Sequence, residues 1–478
     1  MHKSIWAGFG VLFLTFSTVC ANPMEKQPYV IQPTPSYLRP FQAPEAQKFL
    51  VPRQLPLMDF QIPETYAGLL DISESPQKQT SLFFWLVPSS NRETKNLILW
   101  TNGGPGCSSM LGAFTENGPV SWTSKGSKPI KNPNSWHTRA HLLYFEHPAP
   151  TGFSTGNVNI TSEAQVAEYT FRFLKAFLKV FPELLDHNLY LSGESYGGYY
   201  ISYMADYIYA KQAELRLQLE GTLFISALFA NFDLQASVAL YPYVEKRQDI
   251  FKFNSTFMSY LKERSQKCGY TDYYHKYLVF PAVKTPSPPF GSLRKDCDLW
   301  TQFWNAGGTK LDYYNIKRSI TMVTPLLTNP QYFDRPDVRK AFNVHNTIPW
   351  IPCSESKLVF NGGDFHTAES SAPPAEAVLP SIIERNKRTV MVHGKLDAIL
   401  PFEGAILGVQ NMSWSLHQGF QRPLTNDFKV NGVSVGKHGT ERGFTLVVLD
   451  EAGHLIPRDQ PEASLAVVDY LIGDRTTL

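Results

Sequence analysis

Apolar residues fall along this chain in two alternating rhythms. Short, nearly unbroken runs at 82–87 ("LFFWLV"), 97–100 ("LILW") and 142–146 ("LLYFE") have the length and composition of strands. "AQVAEYTFRFLKAFLKVF" then spaces its apolar residues three to four apart, which predicts a helix. The exchange continues through "NLYLS", a glycine-rich turn, and "YYISYMADYIYAK", where Ile201, Met204, Ala205 and Ile208 share one helical face. Later strands are predicted at 223–226 ("LFIS"), 389–392 ("TVMV") and 444–449 ("FTLVVL"). Strands alternating with helices predict an α/β chain with a mostly parallel, helix-covered sheet. Between about Asp233 and Thr328 the rhythm breaks into aromatic, proline-punctuated sequence ("YTDYYHKYLVFPAVKTPSPPF"), which predicts an inserted cap or lid.

At 478 residues the chain is long for one compact domain, and a single sheet with a large insertion accounts for the excess. Residues 1–21 carry one early cation, an apolar stretch from Ile5 to Val19 and small residues up to Ala21, the pattern of a secretory signal cleaved after Ala21. Residues 22–63 are proline-rich ("QPTPSYLRPFQAP") and read as an extended surface lead-in or propeptide outside the core, leaving 64–478 as the folded domain. No later run is apolar enough to span a bilayer, so no membrane span is expected in the mature chain. A net charge of +2 without charge blocks argues against nucleic acid as a partner. Of five cysteines, Cys20 leaves with the signal, and Cys107, Cys268, Cys297 and Cys353 form an even set that reads as two disulfides in any of three pairings. Sequons at Asn159, Asn254 and Asn411 fit the same secretory route.

The glycine-rich turn, "LSGESYGGYY" at 191–200, sets Ser195 between Gly193 and Gly197, after a strand and before a helix. Small residues there let the chain fold back and expose a hydroxyl, as a nucleophile elbow requires. A serine hydroxyl needs a base and an orienting carboxylate, and the late strands supply both. Asp397 follows "TVMV" and His454 follows "FTLVVL", giving the chain order Ser, Asp, His found in α/β-hydrolases. Asp450 is the rival carboxylate, disfavoured because it sits too close to His454 on one loop. "LWTNGGPGCSS" places Gly103 and Gly104 after a strand, where a backbone N–H can act with that of Tyr196 on a developing oxyanion. "HTRAH" at 137–141 has two histidines at helical spacing without the glutamate of a zinc protease and is expected on the surface. The chemistry calls for no metal and no cofactor.

Together "NGGPGCSS", "PTGFS", "GESYGG", "RPDVRKAFNV", "GKLD" and "AGHLIPRDQP" resemble the serine carboxypeptidases from about Tyr66 to Leu471. The resemblance implies an α/β-hydrolase fold and an acid-active exopeptidase working on peptide or protein C-termini. It implies Ser195 as nucleophile, His454 as general base and acid, Asp397 as its partner, and Gly104 and Tyr196 as oxyanion donors. It also implies that Asn102, Glu116 and Glu194, supported by Trp100 and Gly103, receive the substrate's terminal carboxylate. It pairs Cys107 with Cys353 and leaves Cys268 with Cys297. Two close acids share a proton in mildly acidic water, and that proton can be donated to a substrate carboxylate.

Several positions depart from the family pattern: Thr101, Glu146, His147, Pro150, Tyr199 and Ser202, together with the missing Gly-Asn-Gly turn in "LFISALFANFDLQ". They bear on subsite preference and spare the triad. The alternatives are an acyltransferase or esterase on the same scaffold, and a non-catalytic binding protein. The retained carboxylate-binding residues weigh against the first and the intact triad against the second. The signal and sequons fit either secretion or an acidic vacuole or lysosome-type compartment.

Overall fold

The computed structural model describes residues 40–73, 75, 79–123, 128–156, 160–285, 296–318, 325–354, 359–360 and 370–478. The signal, the first part of the lead-in and Asn159 lie outside them. Among the described residues, twelve strands join one sheet: β1 (Leu50–Val51), β2 (Thr65–Asp71), β3 (Thr80–Val87), β4 (Asn96–Thr101), β5 (His141–Phe145), β6 (Thr155–Gly156), β7 (His187–Glu194), β8 (Leu217–Ile225), β9 (Arg388–Gly394), β10 (Asn426–Val430), β11 (Val433–Glu441) and β12 (Phe444–Leu449). Their order is β1-β2-β3-β5-β4-β7-β8-β9-β12-β11-β10, with β6 beside β3. Neighbours from β5 through β12 are parallel, while both flanks are antiparallel.

The parallel strands are buried on both faces, which is why they read as unbroken apolar runs. Their side chains divide by the period of two. Leu97, Leu99, Leu143, Phe145, Leu189 and Leu191 enter one core layer. Ile98, Trp100, Leu142, Tyr144 and Tyr190 enter the other. Helices cover both: α1 (Ser109–Thr115), α2 (Glu163–Val180), α3 (Gly197–Ala210), α4 (Ser255–Lys267), α5 (Tyr270–Tyr277), α6 (Leu299–Gly307), α7 (Phe402–Asn411) and α8 (Pro461–Ile472). In α2, Val166, Thr170, Phe173 and Phe177 make the buried stripe, and Pro182 follows the helix end. The aromatic segment expected as a cap lies between β8 and β9 and is helical in α4, α5 and α6, with Cys268 bonded to Cys297.

Two expectations are corrected. The lead-in was expected to stay outside the core, yet from Phe41 onward it anchors apolar side chains in it while the residues between them stay at the surface. Phe41, Val51, Leu55, Met58 and Ile62 are buried, β1 pairs with β2, and the Phe41 ring meets Tyr66, His141 and Phe181. Pro44, Pro52 and Pro56 lie between these buried apolar residues, and Pro63 follows the last of them. The "HTRAH" segment is also not a surface helix. His141 lies on β5, and its buried Nδ1 accepts from Ser89 N at 3.2 Å, while His137 sits on a single helical turn before the strand. No described helix is long and apolar enough to cross a membrane.

Candidate active site

Each expected catalytic side chain follows the carboxyl end of a parallel strand. Ser195 follows β7 with φ of 58°, the left-handed region that a side chain occupies only when its surroundings hold it. Its N–H donates to Ile225 O at 3.0 Å and its carbonyl accepts from Leu228 N at 2.9 Å, so the end of β8 pins the turn. The flanking glycines permit the crossing: a Cβ on Gly193 would lie 2.4 Å from Gly197 O, and one on Gly198 would lie 2.2 Å from Leu228 O.

Asp397 follows β9 and His454 follows β12, both fully buried, with His454 Nδ1 and Asp397 Oδ2 2.7 Å apart. The other oxygen, Asp397 Oδ1, accepts from Ile399 N at 2.8 Å and Leu400 N at 3.1 Å, fixing the carboxylate plane. Burial raises the Asp397 pKa, opposed by His454 and these two N–H groups. Asp450 is half-exposed and pairs with Lys395 at 2.5 Å, turned to a different partner from His454.

Beside the serine turn lies the loop after β4. Gly103 is packed against the elbow backbone, and Gly104 takes φ of 116°, a conformation suited to glycine. Cys107 at its end is bonded to Cys353. Asn102 joins this loop to the acids: its Nδ2 donates to Glu194 Oε1 at 3.1 Å, while its Oδ1 accepts from Trp100 Nε1 at 2.9 Å and Gly112 N at 3.2 Å. Glu116, at the end of α1, lies close enough to Glu194 for each carboxyl to shift the other's titration. Burial raises both pKa values; Glu116 and Asp397 raise that of Glu194 further, while Asn102, Arg458 and His454 restrain that of Glu116. Two buried carboxyls this close disfavour ionising together, so the protonated form of the pair is favoured over that of a free glutamate. Among the described residues, Oε2 of each acid is buried without a hydrogen-bond partner.

Two departures from the family pattern, Thr101 and His147, satisfy one another, and the others find partners nearby. Thr101 Oγ1 lies 2.8 Å from His147 Nε2, and the His147 ring stacks on Phe145 with centroids 4.1 Å apart. Glu146 is buried at the end of β5, where its carboxyl accepts from Ser108 Oγ, Phe153 N (2.5 Å) and Trp350 Nε1 (3.2 Å). Burial pushes its pKa up to about 7. The Tyr199 ring stacks on Tyr196, and Ser202 Oγ donates to Gly198 O at 2.7 Å within α3.

Sequence reasoning missed two residues near the triad. Tyr314 comes from the cap segment and sets its ring against the edge of the His454 ring, with centroids 5.2 Å apart. Glu163 at the start of α2 accepts from the Tyr196 hydroxyl at 2.9 Å. Neither belongs to a chemical motif.

Comparison with known proteins bears on this geometry. The family model described as serine carboxypeptidase matches residues 56–474. Over 442 residues the chain is 33% identical to a carboxypeptidase Y homolog from Arthroderma benhamiae, covering 89% of this chain and 87% of the relative. Over 464 residues it is 32% identical to serine-type carboxypeptidase F from Aspergillus niger, covering 89% and 86%. Its fold is similar to the crystal structure of Kex1, a prohormone-processing carboxypeptidase from Saccharomyces cerevisiae, with a TM-score of 0.71 at 22% identity over 90% of this chain and 97% of that one.

Proposed function

The chain belongs to the serine carboxypeptidase family, and from that premise we propose that Ser195, His454 and Asp397 release the last residue of a peptide through an acyl-enzyme. Ser195 Oγ attacks the last peptide carbonyl as His454 Nε2 takes its proton. Asp397 holds the Nδ1–H and stabilises the imidazolium, while the N–H groups of Gly104 and Tyr196 receive the oxyanion. His454 then protonates the leaving amine, the free amino acid departs, and water repeats the sequence on the ester. Asn102 and the proton shared by Glu116 and Glu194 hold the substrate's terminal carboxylate, braced by Trp100 and Gly103.

The buried pairing of Glu116 with Glu194, tied to the serine loop by Asn102, is the single observation that carries this reading. Two ionised carboxylates would repel a C-terminus, whereas one shared proton makes them a donor for it. A substrate without a terminal carboxylate would leave that arrangement unused, which weighs against an esterase or acyltransferase. The same pair favours an acidic medium, and the disulfides and sequons support a secretory route to it.

The test is amino-acid release from a blocked dipeptide near pH 5, compared with its C-terminally amidated analogue. Wild type should act on the free acid far better than on the amide, and Ser195→Ala should lose at least about 10⁴-fold. Equal rates on acid and amide would remove the carboxylate site from the reading, and a Ser195→Ala rate within about tenfold of wild type would remove the nucleophile.

A further inference from the structure

The segment from Asp312 to Arg318, between α6 and the triad loops, is given no role by that mechanism, yet it grips both loops at once. On the Asp397 side, Ile316 N donates to Leu396 O at 3.1 Å, and Tyr313 O accepts from Ala398 N at 2.9 Å. On the His454 side, Tyr314 O accepts from His454 N itself at 2.6 Å. A Cβ on Gly453 would lie 2.0 Å from Tyr314 O, so the two backbones meet without room for a side chain.

One carboxylate closes this clasp. Asp459, five residues after His454, accepts from Gly453 N and Asn315 Nδ2 through Oδ2, each at 2.8 Å, and takes the Arg318 guanidinium on Oδ1. Arg318 also faces Asp312 Oδ2 at 3.5 Å. The Asp459 side chain is only 5% exposed and that of Arg318 20%, so the pair is largely desolvated. Without its guanidinium, the buried carboxylate keeps Gly453 N–H, Asn315 Nδ2 and the more distant charge of Arg458 but loses the partner on Oδ1, which favours its moving or admitting water. Either response releases Gly453 N–H and shifts the peptide that carries His454.

We infer that Arg318 and Asp459 are positioning residues for the proposed catalytic histidine, acting through the peptide units of Gly453 and His454. The inference rests on the proposed role of His454. A general base must stand within hydrogen-bond reach of the proton it takes, and a displacement of about 1 Å costs about 10²-fold. Asn102, Glu116 and Glu194 sit on other elements, and Arg458 beside Asp459 reaches Glu116 only through its charge, so the loss should fall mainly on kcat.

The experiment compares Arg318→Met, Asp459→Asn and Arg318→Lys with wild type by kcat and KM on the blocked dipeptide. In parallel, the rate of Ser195 labelling by a small fluorophosphonate reads the histidine's work with no terminal carboxylate involved. Arg139→Met is the control, since it breaks the Arg139–Asp469 pair away from the triad. Met at 318 and Asn at 459 should lower kcat and labelling together by about 10²-fold with KM changed less than about threefold. Lysine at 318 keeps the charge and should recover about tenfold of that loss; it also serves should the severe variants not fold. Folded variants that label within about threefold of wild type, or whose loss lies in KM, would overturn the inference. So would an Arg139→Met enzyme with the same kinetic defect. A wild type that neither releases an amino acid nor takes up the probe would overturn the triad reading, and this inference with it.

Discussion

Replacing Gly103 with alanine tests how closely the loop after β4 must approach the serine turn. The added Cβ would lie 2.5 Å from Tyr196 N, 2.6 Å from Glu194 O and 2.9 Å from Gly197 N. All three are backbone atoms of the elbow, so no side chain can swing aside. Ordinary contact begins near 3.4 Å, so the two turns must part by about 0.9 Å. Overpacking of this kind costs about 1–3 kcal/mol of stability. Its larger effect is on the proposed oxyanion site, because the N–H groups of Gly104 and Tyr196 lie on opposite sides of the widened gap. Losing one such donor costs about 10²–10³ in kcat. Gly103→Ala should therefore melt a few degrees lower and turn over the blocked dipeptide about 10²–10³-fold more slowly, measured by steady-state kinetics beside a thermal melt. A folded variant with kcat within about threefold of wild type would refute the assignment of these two N–H groups.

Three other outcomes follow from the buried acids and the sequons. Both carboxyls of the Glu116–Glu194 pair are raised by burial, so on the proposed reading the pair gives up its proton only as pH rises above the ordinary glutamate range. From about pH 5 to about pH 8, KM for a peptide should then climb tenfold or more, the worth of a charge-assisted hydrogen bond, while a C-terminal ester changes much less; parallel profiles would contradict this. Glu146 is raised in the folded chain to about 7 from 4.5, so its stabilising proton is fully present below about pH 4.5 and lost as pH passes about 7. Unfolding free energies measured in urea should show wild type losing ground to Glu146→Gln across that window, by up to about 3 kcal/mol, and a constant difference would exclude it. Asn254 is exposed at the start of α4, whereas Asn411 accepts from the Tyr273 hydroxyl at 3.1 Å and has its Nδ2 buried. Glycopeptide mass spectrometry should find a glycan at Asn254 and none at Asn411.

What could be read from the sequence follows from how each element is solvated. The parallel strands were visible as unbroken apolar runs because both faces are covered. β2, β10 and β11 were not, since "TYAGLLD", "NDFKV" and "VSVGKHGTE" mix polar residues and glycine, and the last two lie at an edge where water takes one face. The β10–β11 hairpin did leave a signal in Asn431-Gly432, both at positive φ between paired Val430 and Val433. The serine turn and the strand-end positions of Asp397 and His454 were readable because their roles demand particular residues at particular joints. Thr101 and His147 looked like separate departures because their hydrogen bond spans 46 positions. Tyr314 and Asp459 stayed hidden for the same reason: their contacts are made only when the cap segment folds back onto two distant loops.

The anchoring of Phe41 and its successors limits how this chain can be trimmed. Phe41 belongs to one core layer, and Val51, Leu55, Met58 and Ile62 to the other. A maturation protease cutting between residues 42 and 63 would strip hydrophobic plugs from the scaffold, each worth about 1.5–3 kcal/mol for a large buried side chain. Residues from Pro40 onward are thus working masonry, and a shortened recombinant version should start no later than that proline.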